Sequence, residues 1–253
     1  MKLKIALRNL FISQAVIVIF LIFAYFVWFP FSFSTLEEFY KTAGLIIFVD
    51  VILGPLLVYI IYKENKKFLR FDINVLLGIQ IVAFAFGAYS LYLKHPVYAV
   101  FSIDRFTLVN AANTTPEKIR FDSLKSSIFS KTKITIAKMP SDIEKKNALT
   151  LGVLFNGAPD LEYRAEYYQP FNQNISDVLK KSINLKKFSK LSKNKIRAFA
   201  NKHKGDISDY AYFPLRTKYK DLIWVLNKNN ALPVGIVDIN PWLLNEKVSS
   251  TNN

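Results

Sequence analysis

One carboxylate stands where a carboxylate is costly. Asp50 is the single charge in an otherwise apolar run over residues 42–62. An ionised carboxylate inside a bilayer costs about 2.5–3.5 kcal/mol on insertion scales. It must therefore face protein or water, or carry a proton. Gly54 lies four residues on and Pro55 follows it. A small residue one helical turn from a polar one suits close helix contact. Proline removes a backbone donor and frees the carbonyl of Val51, which predicts a kink. In an antiparallel neighbouring helix, residues near Ala85 lie level with Asp50, Gly87 is close to that level, and Gln80 lies roughly a turn deeper. Three chemistries stay open for Asp50: a polar lock between helices that Gln80 could complete, a docking point for another protein's membrane helix, and a proton relay.

Other reactive constellations are thin. Cysteine is absent, which excludes disulfide scaffolds, thiolate metal sites and cysteine nucleophiles. His95 and His203 are far apart in the chain and suggest neither a metal site nor a triad. Asp160, Glu162 and Glu166 could run acid–base chemistry, but surface charge explains them more simply. No glycine-rich phosphate loop, HExxH or GxSxG occurs. With 8 glycines in the chain, a backbone-cradled cofactor is not expected. No catalytic residue, metal or cofactor is expected, and the chain reads as non-enzymatic.

The elements that must hold Asp50 follow from the apolar runs. The chain has 253 residues, 51 % hydrophobic, 15 % aromatic and 21 % charged, with positive mean hydropathy. That balance excludes a disordered chain and fits an ordinary soluble enzyme poorly. Residues 10–36 carry no charge, residues 42–62 carry only Asp50, and residues 73–93 carry none. A bilayer core needs about 20 apolar residues in a helix, so three transmembrane helices are expected within residues 1–93. A cleaved signal peptide is the rival for the first run, with Met1 to Arg8 as its basic start and small residues at 32–34. Its apolar core is longer than the roughly 7–15 residues of such a segment.

Loop charge sets the expected orientation. Lys2, Lys4 and Arg8 precede the first run, and Lys63, Lys66, Lys67 and Arg70 lie between the second and third. Glu37 and Glu38 sit between the first and second. This places the N-terminus in the cytoplasm and everything after Leu93 outside it.

Residues 94–247 then form a basic periplasmic domain, and 248–253 a disordered tail. From Lys94 to the end there are 26 basic and 14 acidic residues. Alternation from Pro96 predicts a strand, and residues 134–136 a short one. Ser141 with Glu144 forms a capping box before a helix that ends at Gly157. Two further helices are expected over 176–183 and 192–202. Strands over 221–226 and 232–239 flank Lys228-Asn229-Asn230 as a hairpin. The expected fold is a membrane protein, three N-terminal transmembrane α-helices plus an α+β extracytoplasmic domain with an antiparallel sheet.

Residues 180–204 hold ten basic and no acidic side chains. The candidate basic surface is Lys180, Lys181, Lys186, Lys187, Lys190, Lys193, Lys195 and Arg197. Phe188 and Phe199 could stack on bases, but a position outside the cytoplasm argues against nucleic acid. Lipid headgroups, plain solvation or an acidic protein remain open.

Three blocks resemble the type IV pilin accessory proteins of the TfpX/TfpZ family. They are Val49-Asp50-Val51-Ile52-Leu53-Gly54-Pro55-Leu56-Leu57; Arg70-Phe71-Asp72-Ile73, followed by Gln80; and the run from His95 through Asp104-Arg105-Phe106. The resemblance covers roughly residues 1–115. It implies a protein of a Gram-negative inner membrane, without enzymatic activity, that helps its cognate major pilin to be stored, assembled or displayed. Partners would be that pilin or the assembly machinery, and membrane lipids. On this reading Asp50, Gly54, Pro55 and Gln80 lie near a bound helix, and Asp104, Arg105 and Phe106 position the outer domain; alternatively, that turn is held by an internal ion pair. A second class of function is an extracytoplasmic ligand sensor of PAS or Cache type, against which stands the lack of a long cytoplasmic segment in these residues. An envelope enzyme is the third.

Overall fold

The structure, a computed structural model, describes residues 14–29, 37–61, 68–218 and 220–243. Several sequence expectations lie outside these residues: the basic N-terminus, the small residues at 32–34, the loop cations Lys63, Lys66 and Lys67, and the tail at 248–253. The chain divides into two compact units, Met1–His95 and Pro96–Asn253.

In the first unit, helix α1 covers Gln14–Trp28 and closes in a π-helical turn, Ala24–Trp28. Helix α2 (Glu37–Ile46), a π-helical segment (Ile47–Leu53) and helix α3 (Gly54–Ile61) follow without a break. Helix α4 runs Leu69–Lys94. Where the sequence predicts a kink at Pro55, the structure shows a π-helical segment just before it. A proline has no N–H for the preceding turn, and wider spacing tolerates the lost bond.

Of the three expected spans, one is a single helix long and apolar enough to cross a membrane, Phe71–Lys94. The first run is apolar but shorter over its described part, and the second is divided by the π segment. Among the described residues, helix length therefore supports one span, not three.

The second unit is a seven-stranded sheet, with β1 Pro96–Ser102, β2 Arg105–Asn110, β3 Lys133–Ala137, β4 Tyr168–Pro170, β5 Tyr210–Arg216, β6 Leu222–Asn227 and β7 Pro233–Val237. Their order across the sheet is β4-β3-β1-β2-β5-β6-β7. Strands β1 and β3 pair in parallel, as do β2 and β5. The sheet is thus mixed, which corrects the expected antiparallel one. Parallel neighbours need long crossovers. Here β3, helix α5 (Ile143–Phe155), β4, helix α6 (Ile175–Leu179) and helix α7 (Lys190–Lys202) all intervene between β2 and β5.

Helix α5 is capped by Asp142, not Ser141: its carboxylate accepts from the backbone N–H of Glu144 and Lys145. The expected 221–239 hairpin is β6–β7. Tyr98, on β1, is buried, and its hydroxyl donates to the Leu124 carbonyl at 2.7 Å.

Burial pushes the Tyr98 phenol up to about 12, from the ordinary value near 10. The unfolded chain therefore gives up this proton first. The stability that follows is intact below a pH of about 10 and is lost as pH rises through about 12. Tyr98→Phe should cost about 1 kcal/mol at neutral pH, because the Leu124 carbonyl loses its donor. The alkaline fall in stability should flatten in the same variant. Thermal unfolding across a pH series reads both effects; an unchanged alkaline limb would remove Tyr98 as its source.

Candidate functional site

The first unit is built on a pairing of α2, the π segment and α3 with α4. The Lys94 ammonium donates to the Thr42 hydroxyl at 3.0 Å. Ile46 packs where a Cβ on Gly87 would fall, 2.7 Å from its Cγ1. Gln80 lies against Gly54. Val58 and Leu76 form a small buried cluster. These contacts step in opposite directions along the two partners, so the pairing is antiparallel and Asp50 falls near the level of Phe84.

Two sequence candidates meet directly. A Cβ added to Gly54 would stand 1.9 Å from the Gln80 amide nitrogen. Only glycine admits that amide. Asp50 is 2 % exposed, and its Oδ1 takes no hydrogen bond among the described residues. The Oε1 of Gln80 is likewise buried and without a donor. The Gln80–Asp50 hydrogen bond open from the sequence is therefore not formed: the amide nitrogen is turned against Gly54. Of Pro55, only the backbone is described. The result is a pair of buried acceptors beside a glycine contact, in an apolar helical unit. Such oxygens call for a donor: a proton on Asp50 itself, or a polar hydrogen on something that docks there.

Near one end of α4, Trp28 stacks on His95 at 5.2 Å and meets Tyr92 edge-on. The His95 Nδ1 is hydrogen-bonded to the Tyr92 carbonyl. His95 is one residue beyond the helix and buried, and burial holds its imidazole below its ordinary pKa. Its work is to lock α1 to α4.

In the second unit, Ile103 and Asp104 form the turn between β1 and β2, where Ser102 pairs with Arg105. Ile103 holds a positive φ of 57° and stands 67 % exposed, a strained place for a β-branched residue. Asp104 and Arg105 pair at 2.8 Å, and the Arg105 guanidinium lies 4.7 Å from the Trp242 ring centroid. The ion pair weighed for this turn is present. Phe106 is wholly buried in an aromatic cluster, so it holds the sheet rather than presenting a surface.

Glu162 is the residue that sequence reasoning missed. Read as surface charge, it is in fact buried. Ser102 and Thr107 donate to its carboxylate at 3.2 and 3.4 Å, and Arg216 stands 3.9 Å away. It ties β1, β2 and β5 together. The signal was weak: an acid two residues before Arg164 and two after Asp160 has no periodicity that marks it as internal. Asp160 is exposed and Glu166 half-buried. A cleft of about 250 Å³ opens beside Glu162, lined by Ile103, Leu149, Val153 and Leu154 among others. That is below the roughly 300–1,000 Å³ usual for small-ligand sites. The eight basic candidates, Lys180 to Arg197, are all exposed.

No family profile matches the chain, and no solved structure matches it. Among curated proteins it is 35 % identical over 88 residues to the serogroup I fimbrial assembly protein of Dichelobacter nodosus, covering 34 % of each chain. Its identity to the serogroup E1 protein of that organism is 34 % over 88 residues, again 34 % of each chain. A fimbrial assembly protein of serogroups C1 and C2 is 34 % identical over 88 residues, which is 34 % of this chain and 67 % of that protein. The matched part thus spans about a third of the length of the first two relatives.

Proposed function

The chain belongs to the family of fimbrial assembly proteins, and on that premise we propose that it acts in type IV pilus biogenesis. Within the family we read it as a TfpX/TfpZ-like accessory factor of the inner membrane. It binds its cognate major pilin and stabilises it for assembly, with the N-terminus cytoplasmic and the sheet unit periplasmic. In this reading α1, the run at 37–61 and α4 all lie in the bilayer. The outward side chains of α4 support that placement. Ile81, Val82 and Phe86 are 66–75 % exposed, where the core helix of a soluble protein would bury them.

The observation that carries the reading is Asp50. A buried carboxylate oxygen without a donor among the described residues, in an apolar unit, is satisfied when a docking helix brings one. A pilin anchored by a single apolar helix could meet this unit in the bilayer and the sheet unit outside it. Two modest contacts on one partner raise avidity together.

The test is photo-crosslinking in cells that express the major type IV pilin of the same organism. Gly54 is a poor probe position, since any side chain there strikes Gln80, and a probe at Phe106 would open the core. Ile52 and Ile103, both well exposed, replace them. Pilin adducts are expected from both positions. Asp50→Ala should cut the Ile52 adduct about tenfold or more, the loss of one charge-assisted hydrogen bond. Normal pili with no adduct at either position would refute direct binding.

A further inference from the structure

The second unit carries a surface that pilin binding through Asp50 leaves unused. All ten cations between 180 and 204 are exposed, and no acidic side chain lies among them. Helix α7 supplies half of them. It buries Ile196 and Ala200 against the sheet. Opposite that buried stripe, Leu191 stands 56 % exposed, and Ala198 follows seven residues on along the same line. By the 3.6-residue period of the helix, Lys195 and Lys202 lie within about 40° of that line, Lys190 and Arg197 flank it about 100–120° around, and Lys193 falls on the buried side. Lys195 is engaged with the Asp238 carbonyl.

Two features decide what this face fits. Nucleic acid wants free aromatic faces for stacking. Phe188 is instead buried against Tyr212, and Phe199 packs on His203 and closes over Gly235. An outward leucine flanked by long cationic side chains, by contrast, is the pattern of a helix lying in a headgroup layer. There the apolar residue enters, and the lysine stems reach sideways to phosphates. The covalent chain adds a reason. Strand β1 begins at Pro96, two residues after the candidate span ends at Lys94. If α4 crosses the bilayer, the unit that follows is tethered at its surface.

We propose that the outward face of α7 docks on an anionic phospholipid surface. Leu191 enters the headgroup layer, and Lys190, Arg197 and Lys202 bind lipid phosphates.

The absence of cysteine makes the test clean. The full chain with Leu191→Cys carries a single spin label and is reconstituted in nanodiscs, recovered through a tag on the scaffold protein. One set is made of zwitterionic lipid alone, the other with a large share of phosphatidylglycerol. Accessibility of the label to a water-soluble relaxant should fall about fivefold or more in the anionic discs only. The shielding should vanish in high salt, which screens surface charge. It should also vanish in Lys190→Glu/Arg197→Glu/Lys202→Glu, and a Gln version of that triple variant guards against a folding defect. Equal exposure in both lipids overturns the proposal. So does equal shielding in both, which would mean apolar contact without charge recognition. Failure to enter anionic discs also overturns it, as does shielding that appears only when an oligodeoxythymidine or an acidic protein is added. No pilin is present, so the outcome is separate from that of the crosslinking.

Discussion

Replacing Gly54 by leucine will cut piliation about tenfold or more, while Gly78→Leu will leave it intact. Both glycines lie in apolar helices, and both substitutions add the same side chain. Nothing lies within 4 Å of a Cβ built on Gly78. At Gly54 the same carbon meets the Gln80 amide at 1.9 Å. Gln80 can swing away from a methyl group, but a leucine also pushes α3 and α4 apart. Overpacking of this kind costs about 1–3 kcal/mol, and each 1.4 kcal/mol is tenfold in a population. The pair that presents Asp50 should therefore be depleted about tenfold or more. Pilus counts by electron microscopy and the Ile52 adduct with pilin should fall together. Gly54→Ala should give a partial loss, because Gln80 can yield. Equal piliation in Gly54→Leu and Gly78→Leu would show that the α3–α4 contact has no part in function.

Phe106→Ala will destabilise the second unit by about 3–5 kcal/mol, the range for removing a fully buried ring. Phe106 lies 4.7 Å from the Trp224 ring, 5.0 Å from Phe101 and 5.4 Å from Phe213. Those four rings join β1, β2, β5 and β6 at the middle of the sheet. For a unit of this size the loss lowers Tm by about 10 °C. Phe155→Ala is the matched control: that ring, on α5, is 78 % exposed, and its removal should change stability by no more than about 0.5 kcal/mol. Hydrogen exchange of the β2 and β5 amides, compared between the two variants, localises the effect. Equal protection in both would place Phe106 outside the core. The Asp104–Arg105 pair beside it is half-exposed and should contribute little on its own.

Local pattern was legible in the sequence and distant pairing was not. The α5 and α7 helices, β1, β3 and the β6–β7 hairpin are encoded within windows of a few residues, by apolar periodicity, caps and turn chemistry. Strands β2, β4 and β5 went unseen. Strand β2 follows so closely on β1 that the two read as one run, and β4 is three residues long. Phe213-Pro214 inside β5 reads as a strand breaker. The structure accepts that proline because β5 pairs with β2 over only two residues, Phe106 with Leu215 and Thr107 with Arg216. The mixed sheet was beyond reach for the same reason: parallel pairs are set by crossovers of many residues, and no short window records them.

The sequence by itself determined that a cysteine-free chain would carry apolar helices with one carboxylate among them, a glycine beside it, and a basic second unit. Those are properties of residue type and spacing, and they are read without coordinates. Only the tertiary structure decided which groups meet. It turned the Gln80 amide to Gly54 and left the Asp50 Oδ1 without a donor among the described residues. It buried Phe106 and Glu162, which the sequence had placed in a turn and on the surface, and it set Phe188 inside rather than beside the lysines. Burial and partnership depend on what another part of the chain brings across, and that is a property of packing, not of local spacing.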